Sequence, residues 1–341
     1  METKRWTINE VDEAAETLKE GGLVAFPTET VYGLGANAMM SNSVRRVFEV
    51  KGRPSDNPLI VHVTGFEQVK DYVKVFHPAA QELVNMYWPG PLTLVCKVKL
   101  GLFAQEVAAG LATVSFRMPD NEASLRLLKK AGVPAVGPSA NTSGKPSPTT
   151  YEHVSHDLQG KIAGILDDGP TKIGVESTVI DISDPEQEPV ILRPGAITRE
   201  QIKQDLGIEV HYDNHLLEPS DTPKSPGMKY KHYAPDTKVL MVKEKDWSAA
   251  VDWVKENRLS AGVLAGPAVC DKVRADTAAT FSYSDNSVEA ATKGLYAGLR
   301  ALDEAQLPLD VILAAAFPEE NLGVAYMNRL KKAAAQKYFN E

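Results

Sequence analysis

Leu23-Val24-Ala25-Phe26-Pro27-Thr28-Glu29-Thr30-Val31-Tyr32-Gly33-Leu34-Gly35 carries a short apolar run straight into hydroxyls, a carboxylate and glycines. A run of that length stopped by proline reads as a core strand, and residues 27–35 as the loop it feeds. Upstream, 11–21 repeats its apolar residues at helical spacing and stops at Gly21-Gly22. Downstream, 44–51 reads as a helix, 59–63 as a strand and 79–87 as a helix broken by Pro89-Gly90-Pro91. Strands follow at 92–98 and 113–116, a helix at 122–130, and a strand at 133–136 that runs into the Ser139 segment. Further strands are predicted at 164–167, 177–182 and 189–192, with a short helix at 199–206. Strands interleaved with helices predict a mixed α/β fold, a twisted open sheet with helical layers.

From 211 to 235 the chain turns polar and proline-rich, with Pro219, Pro223, Pro226 and Pro235 close together. That composition reads as a linker. Beyond it a βαβ rhythm sets in: strands at 238–242, 261–264 and 310–314, helices at 247–257, 288–305 and 321–337. It predicts a smaller, Rossmann-like parallel α/β domain. The expected division is a catalytic domain at 1–210, a linker or lid at 211–236 and a C-terminal α/β domain at 237–341.

At 341 residues the chain suits two domains, each able to bury a core. Hydrophobic residues at 43% and charged residues at 24% are ordinary for a soluble globular protein. The greasiest runs, such as 311–317, are strand-length and far too short to span a membrane. The N-terminus is polar, without an apolar signal region, so a cytoplasmic protein is expected. Cys96 and Cys270 lie far apart and read as two buried, reduced thiols rather than a disulfide or a metal pair. A net charge of -8 argues against a protein whose main work is gripping nucleic acid. Local basic sites in such a chain suit a small anionic ligand.

Lys51-Gly52-Arg53-Pro54 supplies such a site, with two cations two residues apart beside a stiffening proline. The same pair also suits a helix end, where cations complement the macrodipole. Ser139-Ala140-Asn141-Thr142-Ser143-Gly144 offers hydroxyls, an amide and open backbone for phosphate oxygens. A P-loop is excluded, since Gly137 and Gly144 enclose six residues instead of four and Lys145 is followed by Pro146. No GxGxxG follows a strand, so a dinucleotide fingerprint is unsupported. His62 ends the run Leu59-Ile60-Val61, where a lone histidine is more often a satisfied strand-end residue than a catalytic one. His211 and His215 are four apart but sit in the linker, and His153 and His156 have no third ligand at zinc spacing, so no protein-held metal is predicted.

Read in order, these segments join Trp88-Pro89-Gly90-Pro91-Leu92-Thr93, Arg117-Met118-Pro119, Glu176-Ser177-Thr178-Val179, Arg193-Pro194-Gly195 and Ser225-Pro226-Gly227-Met228-Lys229-Tyr230-Lys231-His232-Tyr233-Ala234-Pro235. The series resembles the two-domain threonylcarbamoyl-AMP synthases, built on a YrdC-like domain, over nearly the whole chain. The resemblance implies ATP-dependent condensation of L-threonine with bicarbonate or CO2 into threonylcarbamoyl-AMP, with release of pyrophosphate. That product would feed a separate tRNA threonylcarbamoyltransferase complex in N6-threonylcarbamoyladenosine synthesis, with any tRNA contact of this chain weak or indirect. It further implies ATP contacts from Lys51, Arg53, Asn57, Thr113, Ser139, Asn141, Ser147, Arg193, His232 and Tyr233, with Lys51 and Arg53 carrying catalysis. Thr30, His62, Arg117, Gly137 and Ser177 would hold L-threonine, Arg117 taking its carboxylate bidentately. Mg2+ is expected to arrive with ATP. Residues 225–235 are expected to fold back as a cover over the nucleotide. A related carbamoylation enzyme of hydrogenase maturation needs cysteine-rich zinc modules that two distant cysteines cannot build. An RNA-binding module, the remaining rival, would lose affinity steeply with salt.

Overall fold

The computed structural model describes residues 2–213 and 233–340. They form two compact units, the first holding residues up to 143, 148–172 and 176–213, the second holding 144–147, 173–175 and 233 onward.

The first unit is built on an 11-stranded mixed sheet. Its strands run in the spatial order Lys4–Trp6, Gly164–Leu166, Val24–Phe26, Gly33–Asn37, Ala135–Val136, Ile60–His62, Thr113–Arg117, Leu92–Lys97, Thr178–Asp181, Val190–Arg193 and His211–Tyr212. Ile60–His62 pairs parallel with Thr113–Arg117, which sets His62 beside Arg117. Leu92–Lys97 pairs antiparallel with Thr113–Arg117 and parallel with Thr178–Asp181.

Strand alternation gives the sheet two different faces. Val61, Leu94, Phe116, Ile180 and Ile191 join the main hydrophobic core. Their neighbours Ile60, Val95, Val179 and Leu192 make only a small separate cluster. Side chains two residues along a strand share a face, so His62 lies on the face of Ile60 and Thr93 on that of Val95. That face therefore continues from a small apolar patch into buried polar residues. On the far side of the unit the helices Val11–Lys19 and Glu122–Ala131 close a second core around Trp6, Leu18, Phe26 and Leu127. Asn121 caps the latter helix by accepting from the Ser124 N–H at 2.9 Å, and Gly132 ends it at φ +66°.

Three expectations need correction. His211–Tyr212, read as the start of the linker, is an edge strand paired parallel with Val190–Arg193. Gly33–Asn37, read partly as loop, is a strand antiparallel to Val24–Phe26. Its glycines reflect close packing rather than a turn, since a Cβ on Gly35 would sit 2.7 Å from the Val24 carbonyl oxygen. The helix Tyr151–Leu158 was not foreseen, and its N-cap is Thr150.

The second unit has a four-stranded, wholly parallel sheet in the order Lys238–Val242, Val311–Ala315, Ala261–Ala265, Ala279–Ser282. The smaller parallel domain is thus as expected. The edge strand Ala279–Ser282 and the helix Pro267–Val273 escaped the sequence reading, because a short, half-exposed edge lacks an apolar run. Cys96 and Cys270 are both buried and free. No described helix is long and apolar enough to cross a membrane. Of the expected cover, residues 225–232 lie outside the described residues.

Gly164 tests the second core of the first unit. A Cβ there would meet the ring of Trp6 at 2.2 Å, and Trp6 is itself fully buried. Gly164→Ala is expected to cost about 1–3 kcal/mol by overpacking, read as a lower urea midpoint for the first unit. An unchanged midpoint contradicts this packing.

Candidate functional site

Two buried polar groupings occupy the first unit. One is assembled by the Lys51 side chain. The helix Ser41–Lys51 ends at Gly52, whose φ of +62° turns the chain out of the helix. Lys51 is only 3% exposed, and its ammonium donates to the carbonyls of Ser139 at 2.5 Å and Asn141 at 2.6 Å. The Ser143 N–H returns a bond to the Lys51 carbonyl at 2.8 Å. Lys51, Ser139 and Asn141 are thus brought together as the motif reading required, and Lys51 also shapes the segment. The Arg53 guanidinium turns back to the carbonyls of Asn57 at 3.3 Å and Pro58 at 3.4 Å. Asn57 is fully buried, and neither atom of its side-chain amide has a hydrogen-bond partner among the described residues. Thr113 opens its strand, and the register Ile60↔Ser115 carries it to the end where Pro58 enters.

The second grouping centres on His62 and Arg117. The Arg117 guanidinium lies 2.7 Å from a carboxylate oxygen of Glu29, with both side chains at most 5% exposed. It also donates weakly to the Gly90 carbonyl at 3.3 Å. Arg117, expected at the substrate carboxylate, thus carries a counter-ion of its own in Glu29. Glu29 was missed as a site residue, although it is the one acidic residue of the loop quoted first. Its Oε2 also accepts from the Asp120 N–H at 3.1 Å, while Oε1 has no partner among the described residues. Thr28 organises the turn that presents Glu29, its hydroxyl meeting that of Thr30 at 2.8 Å and donating to the Val31 carbonyl at 2.6 Å.

His62 packs edge-on to Phe26, with ring centroids 5.3 Å apart, and its Nδ1 has no partner among the described residues. A Cβ on Gly137 would lie 2.6 Å from that nitrogen, so only glycine admits the ring. Burial, with the Arg117 charge adding to it, pushes the His62 pKa down to about 3. The imidazole is neutral. Across the sheet, Arg193 donates to the Ser177 carbonyl at 3.1 Å and to its hydroxyl at 3.0 Å, and Thr93 meets the same hydroxyl at 2.8 Å. A Cβ on Gly195 would collide with the Thr178 N at 2.2 Å, so Arg193-Pro194-Gly195 is a packing element and more than a turn. Ser147 and Tyr233 are counted with the second unit, where Tyr233 stacks on Tyr296 at 5.3 Å. His232 lies outside the described residues.

A buried neutral imidazole, a guanidinium beside a carboxylate, and buried hydroxyls suit a small zwitterion with hydrogen-bonding groups. Among the described residues, no three His, Cys, Asp or Glu side chains gather as a metal site.

Residues 16–195 match the Sua5, YciO and YrdC family, described as "Telomere recombination", and residues 197–335 match the threonylcarbamoyl-AMP synthase C-terminal domain. The chain is 45% identical to threonylcarbamoyl-AMP synthase of Bacillus subtilis, over 98% of both chains. It is 44% identical to the enzyme of the same name from Pyrococcus abyssi, over 95% of this chain and 94% of that one. The crystal structure of P. abyssi Sua5 complexed with L-threonine superposes with a TM-score of 0.90 at 41% identity, covering 98% of this chain and 99% of that one.

The neutral His62 has a consequence for acid stability. Between about pH 6.5 and about pH 3 the unfolded chain binds a proton that the folded chain refuses, so His62 subtracts stability as pH falls. The slope from this group is at most about 1.4 kcal/mol per pH unit. His62→Gln, which never titrates, is expected to flatten the decline of unfolding free energy between about pH 7 and about pH 4.5. Parallel declines for parent and variant contradict a buried neutral imidazole.

Proposed function

The chain belongs to the threonylcarbamoyl-AMP synthases, and from that premise we propose that its first unit carries the chemistry. The enzyme joins L-threonine, bicarbonate and ATP into threonylcarbamoyl-AMP and pyrophosphate, the first step toward N6-threonylcarbamoyladenosine in tRNA. The observation that carries the site reading is the buried Arg117 and His62 pair, adjacent in register, with the Glu29 carboxylate against Arg117. Arg117 holds the threonine carboxylate on the side its ion pair leaves open, and the His62, Thr30 and Ser177 groups hold the hydroxyl.

The chemistry needs the threonine amine as a free base, a carbamate formed from it, and in-line attack of the carbamate oxygen on the α-phosphorus of ATP. No covalent enzyme intermediate is required. The work is positioning and charge stabilisation, and Lys51 and Arg53 supply the charge on the phosphate side, helped by Ser139, Asn141 and the orphaned amide of Asn57. Arg193, the third cation expected at ATP, also fixes Ser177 through two bonds. Mg2+ arriving with ATP would offset phosphate charge when bound. The neutral hydroxyls and amides of residues 139–143 and Asn57 fit that route, since a Mg2+ carried on phosphate and water asks for no dedicated set of carboxylates. Cytoplasmic location and hand-over of the adenylate to a tRNA threonylcarbamoyltransferase complex are part of the same proposal.

Isotope exchange between pyrophosphate and ATP tests the function: it is expected only when threonine and bicarbonate are both present. Exchange without threonine contradicts it. Lys51→Ala and Arg53→Ala are each expected to leave the fold intact by circular dichroism and to cut adenylate formation about a hundredfold or more, as loss of a charged phosphate contact should. Near-normal turnover in either folded variant removes that residue from the phosphate site.

A further inference from the structure

The Glu29 side chain is unevenly satisfied. Its Oε2 has the Arg117 guanidinium and the Asp120 N–H, whereas Oε1, equally shielded from water, has no donor among the described residues. A buried carboxylate oxygen without a donor is costly, and native proteins keep one where a ligand completes it. The charged and titratable residues placed against Glu29 are Arg117, with His62 beside it on the paired strand, Asp120 through its N–H to the carboxylate, and Lys172 through its N–H to the Glu29 carbonyl. Arg117 is claimed by Oε2, and His62, with a fully buried ring, brings no positive charge.

We propose that Glu29 Oε1 is the acceptor for the α-amino group of the amino-acid substrate. The inference rests on the function proposed above. Arg117 and Glu29 present a cation and an anion side by side, one guanidinium nitrogen lying 2.7 Å from Oε2. An amino acid presents the opposite pair, a carboxylate and an ammonium on one carbon, so the two dipoles match when laid head to tail. Such a contact outlasts protonation changes, because ammonium, amine and carbamate nitrogen all keep at least one N–H to donate. Glu29 thereby holds the nitrogen in place while the carbamate forms, and it discriminates against hydroxy acids that lack the amine. It is a positioning residue for Arg117 and a direct contact for the substrate nitrogen.

The test is calorimetry of the full chain with L-threonine and with 2,3-dihydroxybutyrate, which replaces the amine by a hydroxyl. In Glu29→Gln, threonine affinity is expected to fall about tenfold to a hundredfold, as for loss of a charged hydrogen bond. The hydroxy acid should bind the variant as well as it binds the parent, or better, because Arg117 has lost its competing carboxylate. Equal losses for both ligands overturn the proposal, since they indicate a site that has merely loosened. A loss that disappears with 2-aminobutyrate, which lacks only the side-chain hydroxyl, also overturns it by assigning Oε1 to that hydroxyl. Should Glu29→Gln fail to fold by thermal melting, Glu29→Asp keeps the charge for Arg117 and withdraws the carboxylate, and the same split between ligands is expected. A parent that binds no threonine at all refutes the function rather than the role of Glu29.

Discussion

A lysine ammonium driven into the protein organises the first unit's polar interior. Lys51 has given up water, and carbonyls of the Ser139 to Asn141 segment replace it. A buried ammonium without such partners would be prohibitive, so the segment and the helix end must form together. The helix Ser41–Lys51 supplies the cation, and the chain leaving Ala135–Val136 supplies the oxygens. From this one contact follow the path of residues 139–143 and the placing of their hydroxyls and amide.

The sheet does the rest by simple alternation. One face of its central strands is apolar enough to make the main core, and the other holds a small cluster of four buried aliphatic side chains before turning polar. Arg117 and Glu29 compensate each other there, and removing either would leave a buried charge at a cost of about 3–5 kcal/mol. Such pairs add little net stability compared with a hydrophobic replacement. Their presence at the end of the central strands is better explained by what they can bind.

Much of this was legible in the sequence, for identifiable reasons. The alternation of strands and helices outlines both domains, whereas His62, Arg117 and Ser177 are marked as site residues only by the family resemblance of their segments. Lys51 and Arg53 stood out by spacing. What stayed hidden depends on contacts distant in the chain. Nothing local to Glu29 says that Arg117 will sit against it, and nothing near Lys51 says that its ammonium will meet the Ser139 carbonyl. Gly35 read as a turn residue because a glycine needed for close strand approach looks the same in sequence as one needed for a bend. His211–Tyr212 read as linker because a two-residue edge strand has no periodicity to show.

The central claim is that the Lys51 ammonium builds the 139–143 segment, the one proposed to receive the nucleotide. Lys51→Met keeps most of the aliphatic stem and removes the charge, so amide hydrogen exchange across residues 137–143, with and without ATP, reports on that claim directly. Faster exchange there in the free variant, without the slowing that ATP brings in the parent, and with the strands Leu92–Lys97 and Thr178–Asp181 unchanged, is the predicted result. Parent-like exchange across 137–143 in both states would contradict it.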